Sequence, residues 1–458
     1  MREHIPRIGE ENRLDSRART CHDTDMKRFQ TVVCVAAATL PAAASAQLSF
    51  LIADRDANAL WRVTDVNGDG VFQNPEELVL WYDGTNAAGT RGIDNINTMA
   101  VRASDGLVIG ADQVQQDVFQ WQDLNGDGDC LDVGESIEAL VLPNPSGIGI
   151  TFGTGAAFTA AGVPLMVNAG NGNGPDAIFR MMDLDGDGRF MSANEVGPYG
   201  TTGPFGPVAN GPFSPQEIWM APQSDIGTDV GFLRNSSSQT GNNLHGIFRF
   251  EDVNNNGNIN DPGEFAPWFG VANQSGIVPS AGFPIEPDRA RPGALYTHQI
   301  ATGGVDQIIR ARDLDGNGNA NDAGEAAIVF SSGEAGLAIV DLVSVENGDL
   351  YASDNSGKRI IRMRDENGDG DFADVGETLV VFTGGATVTE VRQMVRIESP
   401  VPCPADFNMD GGVDGADVEA FFDAWSTGES AGDVNRDGGV DGADVEYFFA
   451  RWEAGGCD

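Results

Sequence analysis

The chain has little lysine, histidine or cysteine, and no long apolar run follows residue 46. It carries 69 acidic against 27 basic residues, which gives a formal net charge of −42 at pH 7. Lysine occurs only at Lys27 and Lys358. The phosphates of nucleic acid would repel such a surface, so nucleic acid is excluded as a partner. The lack of an apolar run excludes a transmembrane segment from the mature chain.

Most catalytic motifs are also missing. After residue 46 the histidines are His245 and His298, in separate parts of the chain, and we expect both to be satisfied or exposed. There is no HExxH, no GxSxG and no phosphate-binding glycine loop. Cys130 has no histidine near it in sequence, so we expect an unpaired loop residue and no nucleophile. The sequence leaves catalysis open and favours a non-catalytic protein.

The start of the chain is typical of a leader. Residues 26–46, MKRFQTVVCVAAATLPAAASA, have a basic start, an apolar run and a small-residue cleavage pattern before Gln47. Residues 1–25 are polar and charged, so we expect Met26 to be the initiator and cleavage to follow Ala46. The mature protein is therefore expected to be secreted, in the medium or at the cell surface.

An acidic loop returns six times along the middle of the chain, and one copy reads DLNGDGDCLDVGE from Asp123. Each copy has Asp or Asn at its first, third and fifth positions, Gly at the sixth and Glu at the thirteenth. Hard cations such as calcium take about six to eight oxygen ligands around a sharp glycine turn, and this spacing supplies them. Asp, Asn and Gly also dominate plain polar turns, but six copies in register favour a metal site.

The loop resembles the calcium loop of EF-hands, except that the closing glutamate stands at the thirteenth and not the twelfth position. This resemblance implies calcium as the cofactor, held by four side chains in each loop. The fourth copy is the richest in asparagine and is expected to bind most weakly. The implied ligands are Asp65, Asn67, Asp69, Glu77, Asp123, Asn125, Asp127, Glu135, Asp183, Asp185, Asp187, Glu195, Asp252, Asn254, Asn256, Glu264, Asp313, Asp315, Asn317, Glu325, Asp365, Asn367, Asp369 and Glu377.

The repeat unit of about 60 residues predicts several short strands per unit, as in a propeller or another radial repeat. Apolar and polar residues alternate in four segments of the last unit, which fits half-buried strands. These segments are residues 337–346, 349–354, 358–365 and 377–384. The third segment delivers Asp365 to the acidic loop, and similar strings such as ALWRVTD and AIFRMMD precede the other loops.

The strand count predicts a closed ring. The mature chain starts at LSFLIAD, which matches the second strand of a unit, and residues 389–397 supply a spare first strand. Pairing the two would remove exposed sheet edges. The pattern resembles six-bladed propellers of the NHL or gluconolactonase-like kind over residues 47–398, with the acidic loops between the two outer strands of each blade. A solenoid of calcium hairpins is the alternative.

After a linker, residues 399–458 have a different pattern. Two further acidic loops each close on an aspartate at the twelfth position, and each runs into an amphipathic helix with apolar residues such as Phe421 and Phe448 on one face. We expect a small α-helical domain with two calcium sites. Its predicted ligands are Asp406, Asn408, Asp410, Asp417, Asp433, Asn435, Asp437 and Asp444. In an exported chain, Cys403 and Cys457 are expected to form a disulfide that closes this segment.

This segment resembles a dockerin, the duplicated-loop module that docks secreted proteins onto cohesin. Its CPADFN opening and AGGC ending are similar to a variant found at the C termini of exported bacterial proteins. The resemblance implies a cohesin-like or cell-surface docking partner. Where dockerins often present Ser-Thr pairs for cohesin, this chain has Gly415-Ala416 and Gly442-Ala443, so surface attachment stands beside cohesin binding.

Two functions follow as the main hypotheses, beside a third in which the whole chain is a calcium-loaded structural component of a cell-surface layer. The first is a non-catalytic, calcium-binding propeller that binds a ligand or partner and is attached through its C-terminal segment. The second is a dockerin-bearing enzyme acting on polysaccharide or a lactone in the channel, where gluconolactonase-like propellers hold a catalytic metal. Polar residues near the predicted inner strands are Asp94, Asn95, Asn97, Glu217 and Asp341, and we favour chance placement for them. Trp81, Trp121 and Trp268 could stack on glycans, although core packing is expected for strand tryptophans.

Overall fold

A computed structural model describes most of the chain after its leader. The described residues are 47–169, 176–201, 214–221, 229–236, 238–239, 242–301, 303–335 and 337–398, then 405, 407, 413, 415–427, 432, 434 and 440–454. The chain divides into Met1–Ser45 and Ala46–Asp458, and the first unit lies wholly outside the described residues. So do the predicted signal peptide and several predicted C-terminal residues, namely Cys403, Cys457, Asp406, Asn408, Asp410, Asp433, Asn435 and Asp437.

The first three blades are four-stranded antiparallel sheets. Blade 1 consists of β1 (Leu48–Asp54), β2 (Ala59–Thr64), β3 (Leu78–Tyr82) and, from the far end of the chain, β26 (Met394–Glu398). Blade 2 consists of β4 (Ile96–Val101), β5 (Val108–Asp112), β6 (Asp117–Trp121) and β7 (Ser136–Leu140). Blade 3 consists of β8 (Gly153–Phe158), β9 (Pro164–Asn168), β10 (Ala177–Met181) and β11 (Val196–Thr201).

The other three blades have the same order. Blade 4 consists of β12 (Pro215–Met220), β13 (Val230–Asn235), β16 (Gly246–Glu251) and β17 (Phe265–Phe269), with the short pair β14 (Ser238–Gln239) and β15 (Asn242–Asn243) inserted. Blade 5 consists of β18 (Ile285–Pro287), β19 (Ala294–Ala301), β20 (Val305–Arg312) and β21 (Ala326–Ala335). Blade 6 consists of β22 (Ile339–Ser344), β23 (Leu350–Asp354), β24 (Arg359–Met363) and β25 (Thr378–Thr383).

The six sheets form a mainly β, six-bladed propeller, as the sequence predicts. The first strand of each blade (β26, β4, β8, β12, β18 and β22) contacts the first strands of both neighbouring blades, so these six strands surround the channel. The predicted clasp is present, because β26 pairs with β1 from Leu48↔Glu398 to Ile52↔Met394. A solenoid is therefore wrong, since its ends would not meet.

The core lies between the blades. Six buried apolar clusters each join the facing sheets of two neighbouring blades. Between blades 6 and 1, for example, Phe50 packs on Tyr351 with ring centroids 4.8 Å apart. The middle strands are buried on both faces, as in Val108–Asp112 and Asp117–Trp121. Trp81, Trp121 and Trp268 are buried in these clusters, at 0–3% exposure, and present no glycan platform.

The C-terminal part contributes two helices, α1 (Gly415–Thr427) and α2 (Gly442–Ala454). Their apolar faces meet, with the rings of Phe421 and Phe448 stacked at 4.3 Å. These two short helices are all that the described residues show of the predicted helical domain, and they do not support a dockerin module by themselves. No helix in the described part of the chain is long and apolar enough to cross a membrane.

Candidate metal centres

Each acidic loop connects the third and fourth strands of its blade, in the outer part of the propeller. The first aspartate of the loop holds the turn by accepting hydrogen bonds from backbone N–H groups. In the loop of blade 2, Asp123 Oδ1 accepts a hydrogen bond from Gly126 N at 2.7 Å and Asp123 Oδ2 accepts one from Gly128 N at 2.8 Å. The same bond to the sixth residue recurs in all six loops. The repeated sequence therefore builds one repeated turn.

The glutamate at the thirteenth position ties the two ends of the loop together. In blade 5, Glu325 Oε1 accepts from Leu314 N at 2.8 Å and Oε2 accepts from Asp322 N at 2.9 Å. In the loop of blade 1, glutamate stands at both the twelfth and the thirteenth positions. There Glu77 is fully buried and points into the loop, whereas Glu76 is exposed. In this loop the thirteenth position is thus the inward one.

Four loops bring three carboxylates close enough to share one ion. In each of these loops, oxygens of three carboxylates lie within 4.8 Å of one another. Two ligands of one calcium ion are up to about 5 Å apart, so the spacing fits a metal. The sets are Asp65, Asp69 and Glu77; Asp183, Asp185 and Glu195; Asp313, Asp315 and Glu325; and Asp365, Asp369 and Glu377.

Buried oxygens without partners strengthen this fit. Asp65 Oδ1 and Glu77 Oε1 are both buried and have no hydrogen-bond partner among the described residues. Burying a carboxylate oxygen unpaired is costly, and a cation between the two oxygens would remove that cost. Glu264 Oε1, in the asparagine-rich loop of blade 4, is likewise buried without a partner. These orphaned oxygens point to a positively charged ligand in the loops.

The structure adds a tenth position that our sequence analysis missed. Asp132 Oδ2 accepts from Asn125 Nδ2 at 2.8 Å, and Asp374 Oδ2 accepts from Asn367 Nδ2 at 2.5 Å. The tenth side chain thus meets the third. Aspartate recurs there in four of the six loops, as Asp132, Asp261, Asp322 and Asp374. This recurrence was visible in the sequence, but the EF-hand spacing gave the position no role.

The eighth residue of every loop docks onto the preceding blade. Its backbone N–H donates to a carbonyl of that blade's fourth strand at 2.7–2.8 Å, and its side chain is buried. Cys130 is one of these residues: its N–H donates to Trp81 O, and its thiol is fully buried and free. Burial raises the pKa of the Cys130 thiol far above its usual range, so it is no nucleophile. The set is Phe72, Cys130, Phe190, Ile259, Ala320 and Phe372.

The sixth position of the loop in blade 2 requires glycine for two reasons, which gives a first prediction. Gly128 has φ +94°, and a Cβ there would overlap the Arg62 guanidinium from blade 1. Gly126 has φ +78°, but no atom lies within 4 Å of its Cβ position. We expect Gly128→Ala to cost about 2–4 kcal/mol of unfolding free energy and Gly126→Ala about 1 kcal/mol. Urea denaturation measures both, and equal losses would contradict the overlap.

Of the predicted C-terminal ligands, Asp417 and Asp444 are described. Both side chains are fully buried in the first turn of their helices, and Asp444 Oδ2 accepts from Asp441 N at 2.8 Å. A carboxylate is favourable at a helix N-terminus whether or not a metal is bound. These two positions therefore do not distinguish a metal site from a helix cap.

A second acidic cluster lies at the channel. Glu217 on β12, Glu286 on β18 and Asp341 on β22 come from the inner strands of blades 4, 5 and 6. Burial raises the pKa of Glu286 to about 7 against the opposing charge of Arg289. Burial, with the charge of Glu286, raises the pKa of Asp341 to about 8. The pKa of Glu217 is also raised, by burial and by the charge of Asp341.

The other channel candidates do not join this cluster. Asp94 and Asn95 donate their backbone N–H groups to Asp112 Oδ2 at 2.6 and 3.1 Å, in the turn that precedes β4. Asn97 donates its side-chain amide to Gly153 O at 2.9 Å and accepts from Arg392. Glu286 was not predicted. Among the five predicted residues, the structure brings only Glu217 and Asp341 into electrostatic contact.

The histidines have no catalytic setting in the described structure. His298 Nε2 lies 2.7 Å from Asp306 Oδ1, and both side chains are buried in blade 5. His245 is half-buried, and the positive charge of Arg234 adds to burial in lowering its pKa. His298 thus has a carboxylate partner at Nε2, whereas its Nδ1 is buried with no hydrogen-bond partner among the described residues.

The raised channel pKa values give a second prediction. Between about pH 4.5 and 7 the folded protein holds a proton on Glu286 that the unfolded chain has lost. The free energy of unfolding therefore falls over this range. The stabilisation from the bound proton is complete below pH 4.5 and is lost as pH rises through 7. Glu286→Gln mimics the protonated form and keeps an acceptor for Ser344 N. At pH 8 in chelator, we expect the double variant Glu217→Gln, Glu286→Gln to be more stable than wild type by on the order of 1–2 kcal/mol.

At pH 4.5 the same double variant should lie close to wild type, because both glutamates are then protonated in the folded protein and about half protonated in the unfolded chain. Thermal denaturation at the two pH values gives the comparison. Equal stability at pH 8 would show that the three carboxylates are solvated and do not repel one another.

The fold defines the class of protein: a six-bladed propeller with acidic loops in its outer part. No known protein-family model matches the chain. No curated protein matches its sequence.

Solved propellers are similar in fold. A chain of the nidogen/laminin complex has 13% identity and a TM-score of 0.47, over 77% of this chain and 99% of that one. A protein provisionally assigned as a 6-phosphogluconolactonase, from Bacteroides fragilis, has 13% identity and a TM-score of 0.43, over 78% and 99%. Regucalcin from Agrobacterium tumefaciens, a calcium-binding protein, has 11% identity and a TM-score of 0.38, over 62% and 75%. At these values the likenesses carry no argument about function.

Proposed function

We propose that the chain is an exported, non-catalytic propeller whose blades are held together by calcium in the six acidic loops, and which presents its surface to a ligand or partner. The observation that carries the calcium proposal is the pair of buried, unpartnered oxygens in the first loop, Asp65 Oδ1 and Glu77 Oε1. They lie in a three-carboxylate cluster whose spacing suits one cation.

Oxygen-only ligands favour calcium over transition metals. The loops offer carboxylates, amide oxygens and backbone carbonyls, and no histidine is present in any of them. Carboxylate and carbonyl sets select hard cations, and zinc or copper would require nitrogen or sulfur. Cys130 is the one sulfur in a loop, and its burial keeps it protonated. Calcium tolerates irregular geometry of six to eight ligands better than magnesium does.

The calcium proposal is tested by calorimetric titration of residues 47–458 with calcium. Six propeller sites and two C-terminal sites predict a stoichiometry near eight, and a value near two would restrict binding to the C-terminal segment. Glu77→Gln should remove one site, because Glu77 is the buried glutamate of its loop. The matched control Glu76→Gln alters the exposed neighbour and should leave the stoichiometry unchanged. Heat absent from the wild-type titration would refute the proposal.

The C-terminal segment is proposed to attach the protein to a cohesin-like partner or to the cell surface. The support is its sequence resemblance to dockerins, together with two helices whose buried first-turn aspartates stand where the loops would end. Attachment is tested by fractionating cells that express the full chain or a chain ending at residue 399. Release of only the shorter chain into the medium supports attachment, and equal release of both refutes it.

A second candidate function is an enzyme acting on polysaccharide or a lactone in the channel. The observation that favours it is the cluster of Glu217, Glu286 and Asp341, whose raised pKa values suit proton transfer near neutral pH. Like-charge crowding without a reaction gives the same shifts, so the binder remains our conclusion. A screen of lactones and glycans with wild type and Asp341→Asn separates the two. Turnover lost in Asp341→Asn would establish the enzyme.

A further inference from the structure

A basic residue recurs three positions before the acidic loops. It is Arg62 in blade 1, and arginine stands at the equivalent position in four of the other five blades. The equivalent arginines are Arg180, Arg249, Arg310 and Arg362. Blade 2 has Gln120 there. In every blade this residue lies on the third strand.

Four of these arginines reach the sixth-position glycine of the following blade's loop. Arg362 Nη1 of blade 6 lies 2.9 Å from where a Cβ would stand on Gly70 of blade 1. The corresponding distances are 3.0 Å between Arg180 and Gly257 and 3.4 Å between Arg310 and Gly370. Arg62 is closer still to Gly128. An arginine of one blade therefore packs against the acidic loop of the next blade.

The other two interfaces lack this contact. Beside Gly188 of blade 3, the nearest side chain to the Cβ position is Ile137 at 3.4 Å, because Gln120 is too short to reach it. In blade 4, Arg249 pairs with Glu251 of its own strand at 2.5 Å, and no described atom lies within 4 Å of the Cβ position of Gly318. The chain thus contains four loops with a neighbouring guanidinium and two without one.

Three of the four guanidinium groups have a buried nitrogen that is left without a partner in the described structure. Arg62 Nε, Arg310 Nη1 and Arg362 Nε are buried and have no hydrogen-bond partner among the described atoms. Burial lowers the pKa of Arg62, and the charges of Asp123, Asp129 and Asp127 in the adjacent loop oppose this. A permanently charged group beside several carboxylates neutralises part of their repulsion.

We propose that Arg62, Arg180, Arg310 and Arg362 are resident counter-cations that stabilise the unloaded loop of the following blade and weaken its affinity for calcium. The proposal deepens the proposed function and rests on it. A calcium ion entering the loop meets a fixed positive charge beside its ligands, and that repulsion lowers affinity. The same guanidinium keeps the loop folded when the ion leaves. Loops with the arginine would then have a higher dissociation constant for calcium than their own carboxylates alone would give.

The test measures calcium affinity loop by loop. Hydrogen–deuterium exchange of the full mature chain, titrated with calcium, reports protection of peptides that cover residues 123–135 and 183–195. Arg62→Met keeps the length of the side chain and removes the charge. We expect the calcium midpoint of residues 123–135 to fall about tenfold and the melting temperature of the calcium-free protein to fall as well. Arg62→Lys, which keeps the charge, should stay closer to wild type.

The reverse variant tests the same idea where no arginine is present. Gln120 lines a cavity of about 560 Å³ between blades 2 and 3, bounded also by Gly188, so Gln120→Arg has room. It should raise the calcium midpoint of residues 183–195 about tenfold. Arg249→Met is the matched control, because Arg249 does not reach the following loop, and residues 313–325 should keep their wild-type midpoint.

The outcomes distinguish the counter-cation role of the arginines from calcium binding by the loops. Unchanged or raised midpoints in Arg62→Met, with a normal wild-type titration, would overturn the counter-cation role and leave calcium binding intact. If Arg62→Met does not fold, an unchanged midpoint in Gln120→Arg overturns the role by itself. A wild-type protein in which no loop gains protection with calcium would overturn the proposed function and this inference together.

Discussion

A chain that ends at residue 387 should fail to fold into a stable propeller, whereas one that ends at residue 399 should keep the wild-type melting temperature of the ring. The shorter chain loses β26, and with it the backbone pairing from Leu48↔Glu398 to Ile52↔Met394. It also loses Val388, Val391 and Met394, which are at most 1% exposed. Burying one such side chain contributes about 1.5–3 kcal/mol, so the loss approaches the total stability of a typical domain, about 5–15 kcal/mol.

Polar contacts of the clasp increase this loss. Thr389 N donates to Asp54 Oδ2 at 2.6 Å, and Arg55 pairs with Glu390 at 3.0 Å. Without β26, the edge of β1 is exposed to pairing with other chains. The measurements are melting by circular dichroism and size-exclusion chromatography of both truncated chains. Identical melting of the chains ending at 387 and 399 would show that the pairing contributes nothing to closure.

The propeller could be predicted because each strand can be recognised from the pattern of apolar residues in its own sequence. Alternating apolar residues marked the last blade, and the observed strands differ from the predicted segments by a few residues, as in Ile339–Ser344 against 337–346. The first unit's missing first strand and the spare strand at the other end were also visible in the sequence, and together they predicted the clasp. The alternation of apolar residues and the number of strands were enough to predict the propeller, because every blade repeats the same arrangement of strands.

The channel cluster could not be predicted in the same way. Glu217, Glu286 and Asp341 are far apart in sequence and meet because three blades bring their first strands to one axis. Glu286 lies on a strand of three residues, Ile285–Pro287, which is too short to give a periodic pattern. Ring closure, a property of the whole chain, creates this cluster.

The inter-blade roles of the acidic loops were missed for a related reason. Considered alone, a loop shows carboxylates and glycines, and its eighth residue varies from Phe72 to Cys130 to Ala320. Only the neighbouring blade reveals that each of these residues fills the same place in an interface. The loops are therefore contacts between blades as well as the proposed metal centres, so a bound ion would act on the interfaces of the ring.

Removal of calcium should lower the melting temperature of the mature protein by more than about 10 °C, since several sites each contribute about 2.7 kcal/mol at a hundredfold excess of calcium over the dissociation constant. The carboxylates of each loop would then repel one another at short range. In the loop of blade 6, Asp365, Asp369 and Glu377 have oxygens within 4.8 Å. Scanning calorimetry before and after dialysis against chelator measures the shift. Excess calcium should restore the original value, and magnesium should restore less.

The order in which amides of the propeller lose protection after chelation follows from which contacts between blades involve the loops. The amides of Phe72, Cys130 and Phe190 donate to the preceding blade through the loops, whereas the pairing of β1 with β26 involves no loop. Chelation should therefore expose the eighth-position amides to exchange first, beginning with Phe190 and Ala320, whose loops have no neighbouring arginine in the described structure, while the amides of β1 and β26 remain protected. Hydrogen–deuterium exchange in chelator resolves the two classes. If both classes lose protection together, or if the melting temperature does not change, the loops do not hold the blades through metal.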